Sequence, residues 1–421
     1  MLTLPPMKHP TRERLDSLSV IAVQGIDVTA QLAAGIWTAR ILGPEGNGDF
    51  VFAMSTVGMV AVIPLFGTGE VAIRMHADRA LDGRAVLGAQ ISIWAMGTCV
   101  AGVAAALIGL LAQVGATPLL ALAAAFGVLA ANGLTSTFNA LVLAHRLSRL
   151  DVLGMLLSRA TLLGCIAFGV RFGVLGVIAS HAMAAAVLLI ARALLIRRAL
   201  GITAPRLDRA MTRMLFQDGR HVGVGSLFGS IAARLDVVAL RSWSGAYEAG
   251  LYGACYRILN GVSAVTTAIS LALYARLARA RGGQPDHEAE RLFVAVPIVM
   301  ALCLALAATL ASPLVTTLYG AAFARAASTL QVLLVAGIAQ TGNAFLHKGL
   351  VARGRERSLP FAQGAQALVN VVLNVVLVPR YGAFGAALAT LVCECVAPIG
   401  HAVYFTFESR TTKAKGAAFS S

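Results

Sequence analysis

The sequence predicts an all-α polytopic membrane protein of about twelve transmembrane helices, arranged as two six-helix lobes. Three observations predict it. Of 421 residues, 58% are hydrophobic and only 13% charged, with a mean hydropathy of +0.79. Apolar runs of about 20 residues, the length a helix needs to cross the hydrocarbon core, recur from end to end, without the alternation that marks barrel strands. Finally, short motifs of the first half return in the second.

The elements follow from where charges and turn residues interrupt the apolar runs. A first span over 18–41 comes after Lys8, Arg12 and Arg14; it carries Gln24, Asp27 and Gln31, and no small-residue cleavage site follows. It therefore reads as a retained helix rather than a removed leader. The second span, 48–68, opens after the turn ILGPEGNG (41–48) and closes before the basic segment from Arg74 to Arg84. Spans over 85–111 and 118–144 lead to Arg146 and Arg149, and spans over 151–170 and 173–196 turn at Arg171 and end at Arg197. A basic connection as far as Arg220 precedes 221–241 and 250–274, which turn over Ser242 to Ala249. Spans over 291–312 and 325–347 lie between the basic segments Arg276 to Arg291 and Lys348 to Arg357. The last two, 359–378 and 381–407, turn at Arg380 and end before Arg410, Lys413 and Lys415.

In a soluble chain a net charge of +15 would point to nucleic acid, but here the placement of the charge carries the information. The basic residues gather at both ends and in every second connection, whereas the intervening turns keep only Arg40, Arg171, Arg241, Arg325 and Arg380. By the positive-inside rule both termini are cytoplasmic, and no nucleic-acid partner is expected. No connection is large enough to be a catalytic domain, and the outer acids Glu45, Asp49 and Glu248 sit in short turns. A membrane glycosyltransferase or polymerase would need a sizeable acidic outer loop for base or metal chemistry, so a non-enzyme is expected. Cys99, Cys165, Cys255, Cys303, Cys393 and Cys395 all fall in spans and read as small buried side chains rather than disulfides or a metal site. His9, His76, His145 and His287 lie in basic or polar segments and read as solvated. His181, His347 and His401, in or near spans, read as structural and hydrogen-bonded.

Residues 40–48 and the following DFVFA match 241–250 and the following LYGAC, at an offset of 201 from Arg40 to Arg241 with one inserted residue. Likewise RFGVLGV (171–177) matches RYGAFGA (380–386), at an offset of 209 from Arg171 to Arg380. The expected domains are a lobe over 1–200, a basic amphipathic linker over 201–220 and a second lobe over 221–421. Six spans per half is an even number, so the repeat is parallel, with its pseudo-twofold along the membrane normal and a substrate site between halves near the midplane. In the linker, Leu207, Met211, Met214 and Leu215 recur at helical spacing against Arg206, Arg209 and Arg213. That pattern fits a helix lying on an anionic leaflet, and equally a basic tether that obeys only the positive-inside rule.

Polar residues at helical spacing mark one face of several spans. In the first, Gln24, Asp27 and Gln31 share a stripe; Asn132 and Asn139 do so in the fourth, Gln340 and Asn343 in the tenth, and Gln363, Asn370 and Asn374 in the eleventh. One such stripe is equally well interhelical glue; four of them in both halves point to a hydrated cavity. Charges inside spans cost roughly 2.5–3.5 kcal/mol on insertion scales and so should face protein or water. Arg159, Arg234 and Arg257 are the candidates to hold an anionic head group, since a guanidinium stays charged and presents a fork matched to phosphate. Asp27, with Asp236 and Glu394 behind it, is the candidate for coupling to a proton or sodium gradient; beyond that gradient no cofactor is expected. Counted from the turn at Ser242 to Ala249, Asp236 and Arg257 lie at similar depth and are placed to pair. For each of these charges a structural ion pair is the competing reading.

Four segments carry a family resemblance: ARILGPEGNGDFVFA (39–53), LDVVALRSWSGAYEAGLYGACYRI (235–258), LYGAAFARAASTLQVLLVAGIAQ (318–340) and NVVLNVVLVPRYGAFGAALATL (370–391). The sequence resembles the oligosaccharide flippase family, the Wzx-type polysaccharide exporters of the multidrug/oligosaccharidyl-lipid/polysaccharide superfamily. The resemblance implies a two-lobed, V-shaped transporter of twelve to fourteen helices. It would move an undecaprenyl-diphosphate-linked oligosaccharide across the bacterial inner membrane by alternating access, for exopolysaccharide or O-antigen synthesis. The implied partners are that lipid-linked oligosaccharide, membrane lipids, and a polysaccharide polymerase and chain-length regulator. The family has no invariant catalytic motif, and Asp236 alone stands where members often carry an acid opening the second lobe. A cation-coupled drug or metabolite antiporter of the same superfamily is the alternative, and a non-transporting scaffold of a polysaccharide assembly complex is a third reading.

Overall fold

The computed structural model describes residues 10–77, 81–113, 115–145, 147–201, 204–280, 286–352 and 358–418, and among them every regular element is helical. The helices are α1 (Pro10–Val60), α2 (Thr68–Ala77), α3 (Gly83–Leu111), α4 (Ala116–Ala144), α5 (Ser148–Gly169), α6 (Gly173–Leu200) and α7 (Arg209–Ala232). They continue with α8 (Leu235–Trp243), α9 (Gly245–Ala280), α10 (His287–Thr309), α11 (Ala311–Tyr319), α12 (Ala327–Ala352) and α13 (Leu359–Ala418). Among the described residues, seven helical stretches are long and apolar enough to cross a membrane; two of them, Ser148–Leu200 and Phe361–Val403, run over 53 and 43 residues, more than one crossing needs. The chain is a multi-pass membrane protein. Leu107, Leu110, Leu302 and Leu306 stand exposed on these stretches, as lipid-facing side chains do.

Two of the longest helices are helical pairs joined at a glycine. In α1 the break is Gly43 at φ 69°, and Pro44 then starts the next helix with its fixed φ. In α13 the break is Gly382 at φ 52°. Their counterparts in the repeated motifs break in the same way, Gly245 at φ 90° and Gly173 at φ 65°. A left-handed residue costs an L side chain roughly 1–2 kcal/mol, which is why glycine holds all four positions.

The chain divides into two compact units, Met1–Ala34 with Val57–Leu111 and Leu119–Ser230, and Gly35–Thr56 with Ala112–Pro118 and Ile231–Ser421. In the first, Leu215 of α7 is fully buried against Val71, Met75, Val86 and Ile93 of α2 and α3, with Met211 packed beside it. Met211 and Leu215 of the apolar face expected to lie on a leaflet thus pack on protein, while Leu207 and Met214 remain exposed. The preceding strap is fixed as well, since Arg84 Nε donates to the Ala204 carbonyl at 3.0 Å and the Arg206 amide to the Arg84 carbonyl at 2.9 Å. In the second unit a single apolar cluster centres on Tyr252, Tyr319 and Phe323, with Leu240, Leu251, Leu330 and Val378 around them.

Three expected spans are not continuous helices. The one expected over 48–68 stops at Val60, and the turn that follows holds Phe66 and Gly67 at φ 39° and 76°. This turn packs backbone to backbone on Gly219 and Gly223 of α7, and Phe66 stacks on Phe216 at 5.8 Å. The expected span 221–241 breaks between α7 and α8, and 291–312 breaks at Leu310. Hydropathy averaged over a window cannot register a short break or turn built of apolar residues.

Candidate functional site

The charged residues of the spans are gathered into separate clusters. In the first unit, the Arg159 guanidinium of α5 pairs with the Asp27 carboxylate of α1, and Gln31 Nε2, one turn on, donates to the other carboxylate oxygen at 2.7 Å. Both members of the pair keep about a fifth of their side chains exposed, 24% and 22%. Asn132 is exposed on α4 and Asn139 half-buried. The side chain of Gln24 lies outside the described residues.

The second unit holds Asp236 and Glu394. Asp236, 4% exposed at the start of α8, accepts the Tyr252 hydroxyl and the Val237 amide, the latter at 2.9 Å. The Tyr252 hydroxyl lies 3.2 Å from Thr390 Oγ1, and its ring stacks on Tyr256 at 5.3 Å. One turn beyond Thr390 on α13 stands Glu394, whose Oε2 accepts from Asn343 Nδ2 at 2.8 Å and Oε1 from Gln340 Nε2 at 3.4 Å. Ser263 of α9 donates to Gln340 Oε1 at 2.5 Å, and Gln366 also reaches Glu394. Gln340 and Asn343 of one polar stripe and the lone acid Glu394 thus form, with Ser263, one network across α9, α12 and α13. Asn374 donates to the carbonyl and side chain of Asn370, while Gln363 is exposed.

The expected pairing of Asp236 with Arg257 is corrected. Arg257 Nη1 donates instead to the Gly35 carbonyl at 2.6 Å, beside Tyr319, in a space that a Cβ at residue 35 would fill. The reason is the tightness of the hairpin. A single residue, Ser244, separates α8 from α9 and stands midway between Asp236 and Tyr252, so the residue level with Asp236 is the tyrosine. Arg234 is half-buried just before α8.

Outside the spans, His76 is buried on α2 rather than solvated, with its Nε2 3.1 Å from Gln90 Oε1 of α3. Burial pushes its pKa down to about 4; the Gln90 contact opposes that shift and neighbouring His145 adds to it.

The sequence profile of the polysaccharide biosynthesis protein family matches residues 16–281 of the chain. The chain belongs to this family. No curated protein sequence matches it, but solved structures share its fold. The lipid II flippase MurJ in an inward closed conformation superposes with a TM-score of 0.75 at 12% identity, covering 93% of this chain and 87% of that one. An inward-facing multidrug resistance MATE family transporter of the MOP superfamily gives 0.68 at 15%, covering 92% and 96%. A MOP superfamily transporter from Pyrococcus furiosus gives 0.59 at 17%, covering 93% and 94%.

For this family member, sequence reasoning missed one built site. Arg192 of α6 grips Asp151 of α5 with Nε at 2.9 and 3.2 Å and Nη2 at 2.8 Å, and Nη1 donates to the Thr135 carbonyl of α4 at 3.3 Å. The two side chains are 9% and 6% exposed. Arg192 was visible as a charge inside a span, but Asp151 sits at a span end, where an acid gives no signal of burial. Asp49 was passed over likewise: it receives Arg241 Nε at 2.8 Å.

Proposed function

We propose that the chain is a flippase that moves an undecaprenyl-diphosphate-linked oligosaccharide across the bacterial inner membrane by alternating access. The observation that carries the reading is the contrast between its two intramembrane arginine pairs. Arg192 and Asp151 are sealed and fully bonded, whereas Arg159 and Asp27 stay partly exposed. An arginine that must leave its carboxylate for a diphosphate needs that access, because its fork suits phosphate oxygens equally well. Neutralising Asp27 with a proton or a sodium ion frees Arg159 for the head group; loss of the head group lets the pair re-form. Membership of a polysaccharide biosynthesis family supports the cargo. Arg234, half-buried just before α8, is the second candidate contact, and Arg257 the third.

The test is export in cells deleted for the gene. Arg159→Gln is expected to insert normally and to accumulate lipid-linked repeat units on the cytoplasmic face, with Arg159→Lys intermediate because it keeps the charge and loses the fork. Asp27→Asn is expected to lose dependence on the ion gradient. Parental export by Arg159→Gln and Arg234→Gln together would remove the diphosphate reading. The fold shared with multidrug transporters supports a second reading, a cation-coupled antiporter. That reading predicts drug sensitivity in the deletion strain and no accumulated lipid-linked sugar.

A further inference from the structure

Two histidines that read from sequence as separate structural residues meet within the second unit. His347 of α12 and His401 of α13 stand with ring centres 5.1 Å apart and ring planes at 78°. One turn earlier on α12, Asn343 donates to Glu394 of α13 at 2.8 Å. The steps from 343 to 347 and from 394 to 401 are helical repeats of four and seven residues, so the same two helix faces carry both pairs. His401 is 3% exposed, and its Nδ1 lies 3.0 Å from the buried Ser358 Oγ at the start of α13. His347 is half-buried. The Nε2 of each ring is closed to solvent and has no hydrogen-bond partner among the described residues. Two such nitrogens in one cluster are costly unless something else meets them.

We propose that His347 and His401 are the protein ligands of a zinc(II) ion that ties α12 to α13. The ring spacing selects the ion. Two imidazoles on one tetrahedral zinc, each bonded at about 2.0–2.1 Å with its ring centre about 1.1 Å beyond the nitrogen, hold those centres about 5.2 Å apart. Neighbouring positions of an octahedral ion with the same bonds would draw them to about 4.5 Å. The observed 5.1 Å is the tetrahedral value. The outer contact fits as well. With Nδ1–H of His401 donating to Ser358 Oγ, Nε2 keeps the lone pair that a metal takes, the arrangement that fixes the tautomer of metal-binding histidines. The neighbouring cation on the chain, Lys348, is directed to the ring of Tyr274, with Nζ 5.9 Å from its centre. Among the described residues no third His, Cys, Asp or Glu joins the pair. Water or a small anion therefore completes the four positions, and the ion exchanges with its supply.

The test uses the full chain, purified in detergent without a histidine tag and stripped with a chelator, with zinc chloride as the probe. One zinc per chain is expected to bind, and X-ray absorption is expected to count two imidazole nitrogens at about 2.0–2.1 Å. Cobalt(II) in its place is expected to show the strong visible bands of four-coordination. Ser358→Ala, which keeps both ligands, is expected to weaken zinc binding by roughly 10–100-fold, and His347→Gln and His401→Gln by more. His287→Gln, whose side chain is 76% exposed, is expected to leave it unchanged. Zinc should also raise the unfolding midpoint of the parent and of His287→Gln, but not of the two ligand variants. An edge-to-face contact between two neutral rings is the competing arrangement. It predicts no stoichiometric zinc, or zinc held equally by parent and variants, and either result overturns the site. Where a histidine variant fails to insert, Ser358→Ala decides, because zinc affinity equal to the parent's overturns the site too. A parent chain whose zinc shows fewer than two imidazoles overturns it without any variant. None of these readouts involves cargo, so the zinc site and the flippase reading stand or fall separately.

Discussion

The price of a charge inside a bilayer depends on how completely its partner answers it, and the two arginine pairs of the first unit give different answers. Removing one member of a sealed pair strands the other, at a cost of about 3–5 kcal/mol, whereas replacing both by apolar groups of similar volume is often neutral. Arg192→Met or Asp151→Asn alone is therefore expected to lower the thermal stability of the detergent-purified protein strongly. The double change Arg192→Met with Asp151→Leu should recover most of it, as read by the unfolding midpoint. The same changes at Arg159 and Asp27 are expected to affect export more than stability. His76 gives a pH dependence at this scale. Its folded pKa, about 4, lies below the ordinary value of 6.5 because burial disfavours the imidazolium. As pH falls through 6.5 the unfolded chain takes up a proton that the folded chain refuses until about pH 4. Stability is then lost across that window, by on the order of 1.4 kcal/mol per pH unit. His76→Gln is expected to flatten the profile of unfolding midpoint against pH between those limits; an unchanged slope would show that His76 titrates normally.

Helices form where apolar runs are long, and the sequence made those runs easy to find; what it hid were the breaks. The run over 221–241 reads as one span because Ala233 and Arg234 interrupt it for less than a turn, and the helix pair at Gly382 fuses two spans without a loop. The site was legible to a similar depth. Polar stripes located Gln340, Asn343, Asn370 and Asn374, because a polar side chain in an apolar run is conspicuous at helical period. The partner of Gln340 was not legible, since Ser263 looks like an ordinary small member of a span, and neither was that of Asp236, since Tyr252 looks like an ordinary aromatic one. Glu394 was found as a lone acid and its network only in three dimensions. The hairpin of α8 and α9 shows how sensitive partnership is to one turn: shortening the connection to Ser244 moved the residue level with Asp236 from Arg257 to Tyr252. Gly245, at φ 90°, sets that connection. Gly245→Ala is expected to cost roughly 1–2 kcal/mol and to loosen Asp236 from Tyr252, seen as faster hydrogen exchange at the Val237 and Val238 amides. Unchanged exchange would place the control of the hairpin elsewhere.

At the scale of the whole chain, charge and helix length constrain orientation independently. By the positive-inside rule both termini are expected in the cytoplasm and Gly245 outside. Helix α9 runs for 36 residues from Gly245, about 54 Å at 1.5 Å per residue, well beyond the hydrocarbon core of about 30 Å. A helix that starts at the outer face must therefore emerge on the inner one and continue into water. At its far end Arg276 pairs with Asp286 at 2.9 Å and Glu288 at 2.8 Å, and those carboxylates hold its guanidinium above the ordinary arginine range. Half-hydrated ion pairs of that kind belong in water or headgroups rather than hydrocarbon. Reporter fusions placed after Leu150 and Arg410 are expected to read cytoplasmic, and one after Gly245 to read outside. A cytoplasmic reading at Gly245 would invert the orientation of α9 and place Arg276, with its two carboxylates, on the outer side.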